Sequence, residues 1–140
     1  SYVYTAYQAV DRCQLALNDN RLDDGVFESR LAISKFPTMV SAWKLQGLAQ
    51  LRSGNPKEAI HALTEAISLY QSMLQNVTLE NARFVTHQNN NVYHLSECYR
   101  YRSEANAALN RPILAEEDRA AAERYLSFTQ GRLIPSYTAR

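Results

Sequence analysis

Residues 41–70 read SAWKLQGLAQLRSGNPKEAIHALTEAISLY, and this stretch decides the fold. Ahead of its turn, Val40, Trp43, Gly47 and Leu51 recur at three- and four-residue steps, the period of one helix face. They predict a helix over about 39–53. After the turn, Ala59, Ile60, Leu63, Ala66, Ile67, Tyr70 and Leu74 form a continuous apolar face, predicting a helix over 56–76. The turn itself, Gly54-Asn55-Pro56, is a left-handed C-cap, an N-cap and a proline suited to the first helical position. Glu58 stands where a capping box needs it. Gly47 costs about 1 kcal/mol against alanine in a helix, so its presence implies a neighbouring helix that passes too close for a side chain.

Working outward, Ala6, Ala9, Val10, Cys13, Ala16 and Leu17 predict a helix over 3–18, ended by Asn18-Asp19-Asn20. Leu22, Val26 and Ile33, with Phe27 and Leu31 nearby, predict a second over 22–36, stopped by Pro37. On the other side, Leu79, Ala82, Val85, Val92, Leu95, Tyr99 and Ala105 mark a fifth helix over 79–109. It would be roughly 45 Å long if it continues through its polar middle, residues 86–91. Asn110-Arg111-Pro112 turns the chain into a sixth helix over 112–129, with Ala115, Ala122, Tyr125 and Leu126 facing inward. Residues 130–140 contain Pro135 and are expected to be an extended tail.

With 140 residues, 46% of them hydrophobic and 21% charged, the chain is long enough for one folded domain with its own core. The formal charge of +1 comes from well-mixed acids and bases, which argues against a nucleic-acid surface and its basic stripe. Twelve of the 15 basic residues are arginine, a residue enriched at interfaces. No run of about 18 apolar residues is present, so no membrane insertion is expected. The lack of a signal-peptide pattern points weakly to the cytoplasm; the chain begins at Ser1 rather than methionine, as a processed protein or an excised domain would. Cys13 and Cys98 fall at small core positions and are expected to be free thiols.

Six helices in pairs prompt a search for a fixed period. Trp43, Gly47, Gly54, Pro56, Ala59, Ala66 and Ile67 occupy the signature positions of a 34-residue tetratricopeptide repeat. One period earlier stand Ala9, Cys13, Asn20, Leu22, Gly25, Ala32 and Ile33. Later, Leu95, Ser96, Tyr99, Pro112, Ala115 and Ala122 fit if the first helix gains about seven residues, two turns that preserve its facing. The chain thus resembles the tetratricopeptide-repeat family over residues 6–128. The resemblance implies an all-α domain over 1–129, with antiparallel helix pairs stacked as a short right-handed solenoid. Its repeats would span about 6–39, 40–73 and 89–128, with an insertion at 74–88.

In that family a ligand groove is lined by the first helix of each pair. Carried over, its positions are Tyr7, Val10, Gln14 and Leu17; Ser41, Lys44, Leu48 and Arg52; and Asn90, Tyr93, Glu97 and Arg100. Val10 and Gln14 stand where chaperone-binding members place the residues of a carboxylate clamp, so binding of chaperone tails is not expected. The mixed lining suits a peptide held by apolar pockets with polar anchors. Among the nine tyrosines, Tyr70, Tyr99 and Tyr125 are expected in the core, and Tyr7, Tyr93 and Tyr101 at the surface.

No motif of a nucleophilic, phosphate-binding or zinc enzyme is present. His87 and His94 would stand roughly 10 Å apart along one helix, too far for one metal ion. Glu116-Glu117-Asp118 is expected to lie on a solvated face. The expectation is a non-catalytic adaptor, scaffold or chaperone without metal or cofactor, binding a protein or peptide. Alternatives are a homodimer that covers Val77, Leu79, Phe84 and Val85 on the overlong helices, or a docking domain of a larger enzyme or secretion assembly.

Overall fold

The computed structural model describes residues 1–75 and 85–129. Among them are six α-helices and no strand: α1 Tyr2–Asn18, α2 Leu22–Lys35, α3 Val40–Arg52, α4 Pro56–Gln75, α5 Val85–Ala108 and α6 Pro112–Phe128. The protein is all-α. Consecutive helices pack as antiparallel hairpins α1/α2, α3/α4 and α5/α6, and α3 and α5 each also pack on the hairpin before them. The expected helix α5 runs unbroken through its polar middle from Val85 onward. The expected tail, residues 130–140, and most of the insertion at 74–88 lie outside the described residues.

The three hairpin turns are one structure used three times. Asn20, Gly54 and Asn110 take positive φ, at 59°, 80° and 57°. Each is followed by a backbone N–H reaching five residues back: Arg21 to Ala16 O at 2.7 Å, Asn55 to Gln50 O at 2.9 Å, and Arg111 to Asn106 O at 2.9 Å. The left-handed residues themselves donate to Leu17, Leu51 and Ala107. This is the Schellman arrangement, which satisfies carbonyls that the helix end would otherwise leave unbonded.

Counted from these turns, the residue seven places before each left-handed position lies at its hairpin crossing. Cys13 Sγ donates to Gly25 O at 3.2 Å, and Ser103 Oγ donates to Ala115 O at 2.7 Å. The matching residue of the middle hairpin is Gly47, where a Cβ would come within 2.5 Å of Leu63 Cγ. The close neighbour implied by this glycine is therefore Leu63, itself fully buried. In α5/α6 a second such contact lies two turns further along, Ser96 Oγ to Ala122 O at 2.7 Å. The two-turn lengthening of the hairpin repeats the crossing rather than disrupting it.

The largest core cluster joins α4, α5 and α6 around Leu63, Ile67, Leu74, Val92 and Leu95. Two smaller ones join α1, α2 and α3 around Ala9, Ala32 and Ala42, and around Cys13, Leu17, Leu45 and Ala49. Several inward faces differ from expectation. In α2 the buried line is Gly25, Ser29 and Ala32, while Phe27 is 65% exposed. Small residues there let α1 and α2 approach closely. In α6, Leu126 faces outward and Tyr125 stacks on Tyr99 at 5.7 Å. Asp118, expected on a solvated face, is buried: Arg102 holds it in a two-pronged pair at 2.9 and 2.7 Å, and Asn106 adds a bond at 3.0 Å. Arg102 also reaches Thr64 Oγ1 at 3.1 Å, tying α4, α5 and α6 together.

Among the described residues the first helices of the hairpins touch one another, α1 with α3 and α3 with α5, whereas no comparable contact joins α2 to α4 or α4 to α6. The row α1–α3–α5 is therefore the inner side of the stack, and the second helices spread apart on the outer side.

Candidate functional site

The inner row carries the positions expected to line a groove. Val10 and Leu48 are half-buried and pack beside the cluster of Cys13, Leu17, Leu45 and Ala49; they form its apolar floor. Tyr7 and Tyr93 are exposed, by 56% and 42%, as expected. Tyr101 is half-buried instead, with the Arg100 guanidinium 4.7 Å above its ring. Gln14 is exposed and donates to Asn18 Oδ1 at 3.1 Å. Arg52 reaches across to Leu17 O at 3.4 Å and so bridges α3 to α1. Asn90 and Arg100 are exposed.

At the centre, Lys44 on α3 is buried and donates to Glu97 Oε1 at 2.6 Å and to His94 Nδ1 at 2.8 Å, both on α5. Glu97 also accepts from Tyr101 Oη at 3.3 Å and Arg100 at 3.5 Å. Burial would raise the Glu97 pKa, but its bond to Lys44, the Lys44 charge, the Tyr101 bond and Arg100 together hold it below the ordinary value. His94 is held below its ordinary value by burial and then by the Lys44 charge. Its ring is neutral when Nδ1 accepts from Lys44, so its proton sits on Nε2. Tyr70 stacks on His94 at 6.1 Å with a 14° tilt, and burial, ahead of Cys98 and Glu97, raises its own pKa.

The structure thus brings Lys44, Glu97 and Arg100 together as a strut between α3 and α5. The charges of Lys44 and Glu97 are spent largely on each other. Arg52, Arg100, Gln14 and Asn90 remain as polar groups open to solvent along the row. Sequence reasoning missed His94 and Tyr101. Both stand one residue from positions already singled out, and a wider stripe of 94, 97 and 101 at helical spacing was the available signal. The surface expected for a dimer, Val77, Leu79, Phe84 and Val85, lies outside the residues whose side chains are described, as does the His87 side chain.

Cys13 and Cys98 are free and buried. Burial is the largest cause of their raised pKa values, about 11 and about 12 respectively, which makes them poor nucleophiles at neutral pH. Among the described residues no group of three or more His, Cys, Asp or Glu side chains is placed to hold a metal ion, and no helix is long and apolar enough to cross a membrane. Comparison with protein-family models and with curated proteins finds no match.

Proposed function

We propose that this chain is a non-catalytic, tetratricopeptide-like interaction module that holds a peptide or protein segment along α1, α3 and α5. The observation that carries this reading is the unequal packing of the two helix rows. The first helices touch and the second helices spread, so the stack curves around its inner row, as a helical solenoid does around its ligand. Along that row, exposed tyrosines alternate with an apolar floor and with Arg52 and Arg100. Tyrosine and arginine are the residues that most often anchor a partner.

The test is to select peptides from a random library on the folded protein and map the binder by backbone amide shifts. Shifts are expected at Tyr7, Leu48, Tyr93 and Arg100. Tyr7→Ala with Tyr93→Ala is expected to weaken the selected peptide about tenfold or more. Shifts confined to α2, α4 and α6, or unchanged affinity in the double variant, would show the reading to be wrong.

A further inference from the structure

The buried ammonium of Lys44 has two partners that respond differently to acid. It donates to Glu97 Oε1 at 2.6 Å and to His94 Nδ1 at 2.8 Å. The carboxylate accepts wherever it is ionised, whereas the imidazole nitrogen accepts only while the ring is neutral. A proton arriving at Nδ1 turns it into a charged N–H donor that faces the ammonium 2.8 Å away. Two donors of like charge repel at that distance, so one of them must leave.

The surroundings decide which. Among the described residues, the titratable and charged groups that face His94 are Lys44 on α3, Tyr70 on α4, and Tyr93 and Glu97 on α5 itself. The ring is held by two aromatic neighbours, stacked on Tyr70 at 6.1 Å and edge-on to Tyr93 at 5.8 Å. Tyr70 stays neutral, because burial raises its pKa. Glu97 is fixed from its far side, where Oε2 accepts from Tyr101 Oη at 3.3 Å and from Arg100 at 3.5 Å. Its pKa lies below the ordinary value, so it stays ionised while histidine titrates. Glu97 Oε1 already stands 3.9 Å from His94 Nδ1, three residues along the same helix. A protonated ring can therefore take this oxygen without moving a helix. Lys44 hangs from the other helix on a flexible stem, and is the group free to swing away.

We infer that Lys44, His94 and Glu97 form an acid-operated latch between α3 and α5: when His94 takes up a proton, its Nδ1–H replaces Lys44 on Glu97 Oε1, and the Lys44 ammonium turns out into the inner row. Acid then removes the buried tie between the two helices and adds a free cation beside Arg100. The latch operates with or without a ligand in the inner row.

Nuclear magnetic resonance of the full chain tests it. At pH 7.5 the His94 ring is expected to carry its proton on Nε2, with a nuclear Overhauser contact between the Lys44 Cε protons and the ring proton on Cε1. Lowering the pH to 5.0 is expected to protonate the ring and, with the same midpoint, to weaken that contact about fivefold or more. Backbone amide shifts in α1 and α2 are expected to stay constant meanwhile. The Lys44 Cε resonance is expected to move with the same midpoint, and to stay still in His94→Gln, whose amide oxygen accepts at every pH. A proton on Nδ1 at pH 7.5, a contact that survives protonation of the ring, or a ring still neutral at pH 5.0 would each overturn the inference. So would unfolding before the ring titrates, or an equal movement of Lys44 in His94→Gln.

Discussion

Lys44 Nζ and Glu97 Oε1 lie 2.6 Å apart with side chains only 11% and 19% exposed, and this pair joins the middle hairpin to the last one. Removing Lys44 leaves the half-buried Glu97 only its longer contacts to Arg100 and Tyr101, a loss of about 1–3 kcal/mol. Lys44→Met is therefore expected to lower the urea midpoint strongly. Lys44→Met with Glu97→Gln is expected to recover much of that loss, because neither charge is then stranded. A double-mutant cycle measures the coupling; additive single effects would show that the pair contributes nothing.

The same cluster sets a pH dependence. His94 has a lowered pKa in the folded protein, through burial first and Lys44 second. The unfolded chain thus takes up a proton near pH 6.5 that the folded one does not yet bind, and stability falls as pH drops below that value. Glu97, also lowered, adds a second loss when pH falls below the ordinary carboxylate range. Melting temperature is expected to decline between pH 7.5 and 5.5, and His94→Gln is expected to flatten this step while leaving the one at lower pH. An unchanged slope in the variant would assign the decline to other groups.

Gly47 offers a test of the middle crossing. Helix propensity favours Gly47→Ala by about 1 kcal/mol, yet the added Cβ would meet Leu63 at 2.5 Å. Leu63 is fully buried, and overpacking at such a site costs about 1–3 kcal/mol. The substitution is expected to destabilise on balance. Leu63→Ala alone opens a cavity, and placing Gly47→Ala in that background is expected to restore part of the loss. Calorimetric melts of the two single variants and the pair decide it.

Where structure followed local chemistry, it was legible in the sequence. Gly54-Asn55-Pro56 marked its turn, and Gly47 announced a close neighbour. Val92, Leu95, Tyr99 and Ala105 were read as the α5 stripe and are buried. What was not legible depended on partners distant in sequence. Asp118 sits beside Glu116 and Glu117, which are exposed, and only Arg102 on another helix makes its burial tolerable. Lys44 looked like a solvent-facing anchor until α5 placed Glu97 and His94 against it. In α2 the apolar period marks Leu22, Val26 and Ile33, Gly25 and Ala32 stand out only through the 34-residue period, and Ser29 through neither, because a line of small residues has little hydrophobic signal but permits close helix approach.

The shared turn gives a prediction with an internal control. Asn20 and Asn110 hold φ of 59° and 57° with a Cβ, whereas Gly54 holds 80° without one. The left-handed conformation costs a residue with a Cβ roughly 1 kcal/mol, and asparagine only partly escapes this. Asn20→Gly and Asn110→Gly are each expected to raise stability by up to about 1 kcal/mol. Gly54→Ala is expected to lower it by about 1 kcal/mol or more. The Cβ at position 54 would meet nothing within 4 Å, so that loss isolates backbone conformation from packing. If each of the three turns is more stable with glycine than with a residue that carries a Cβ in denaturant melts, they are one motif energetically as well as geometrically. If Asn110→Gly destabilises instead, the lengthened hairpin depends on the asparagine side chain itself.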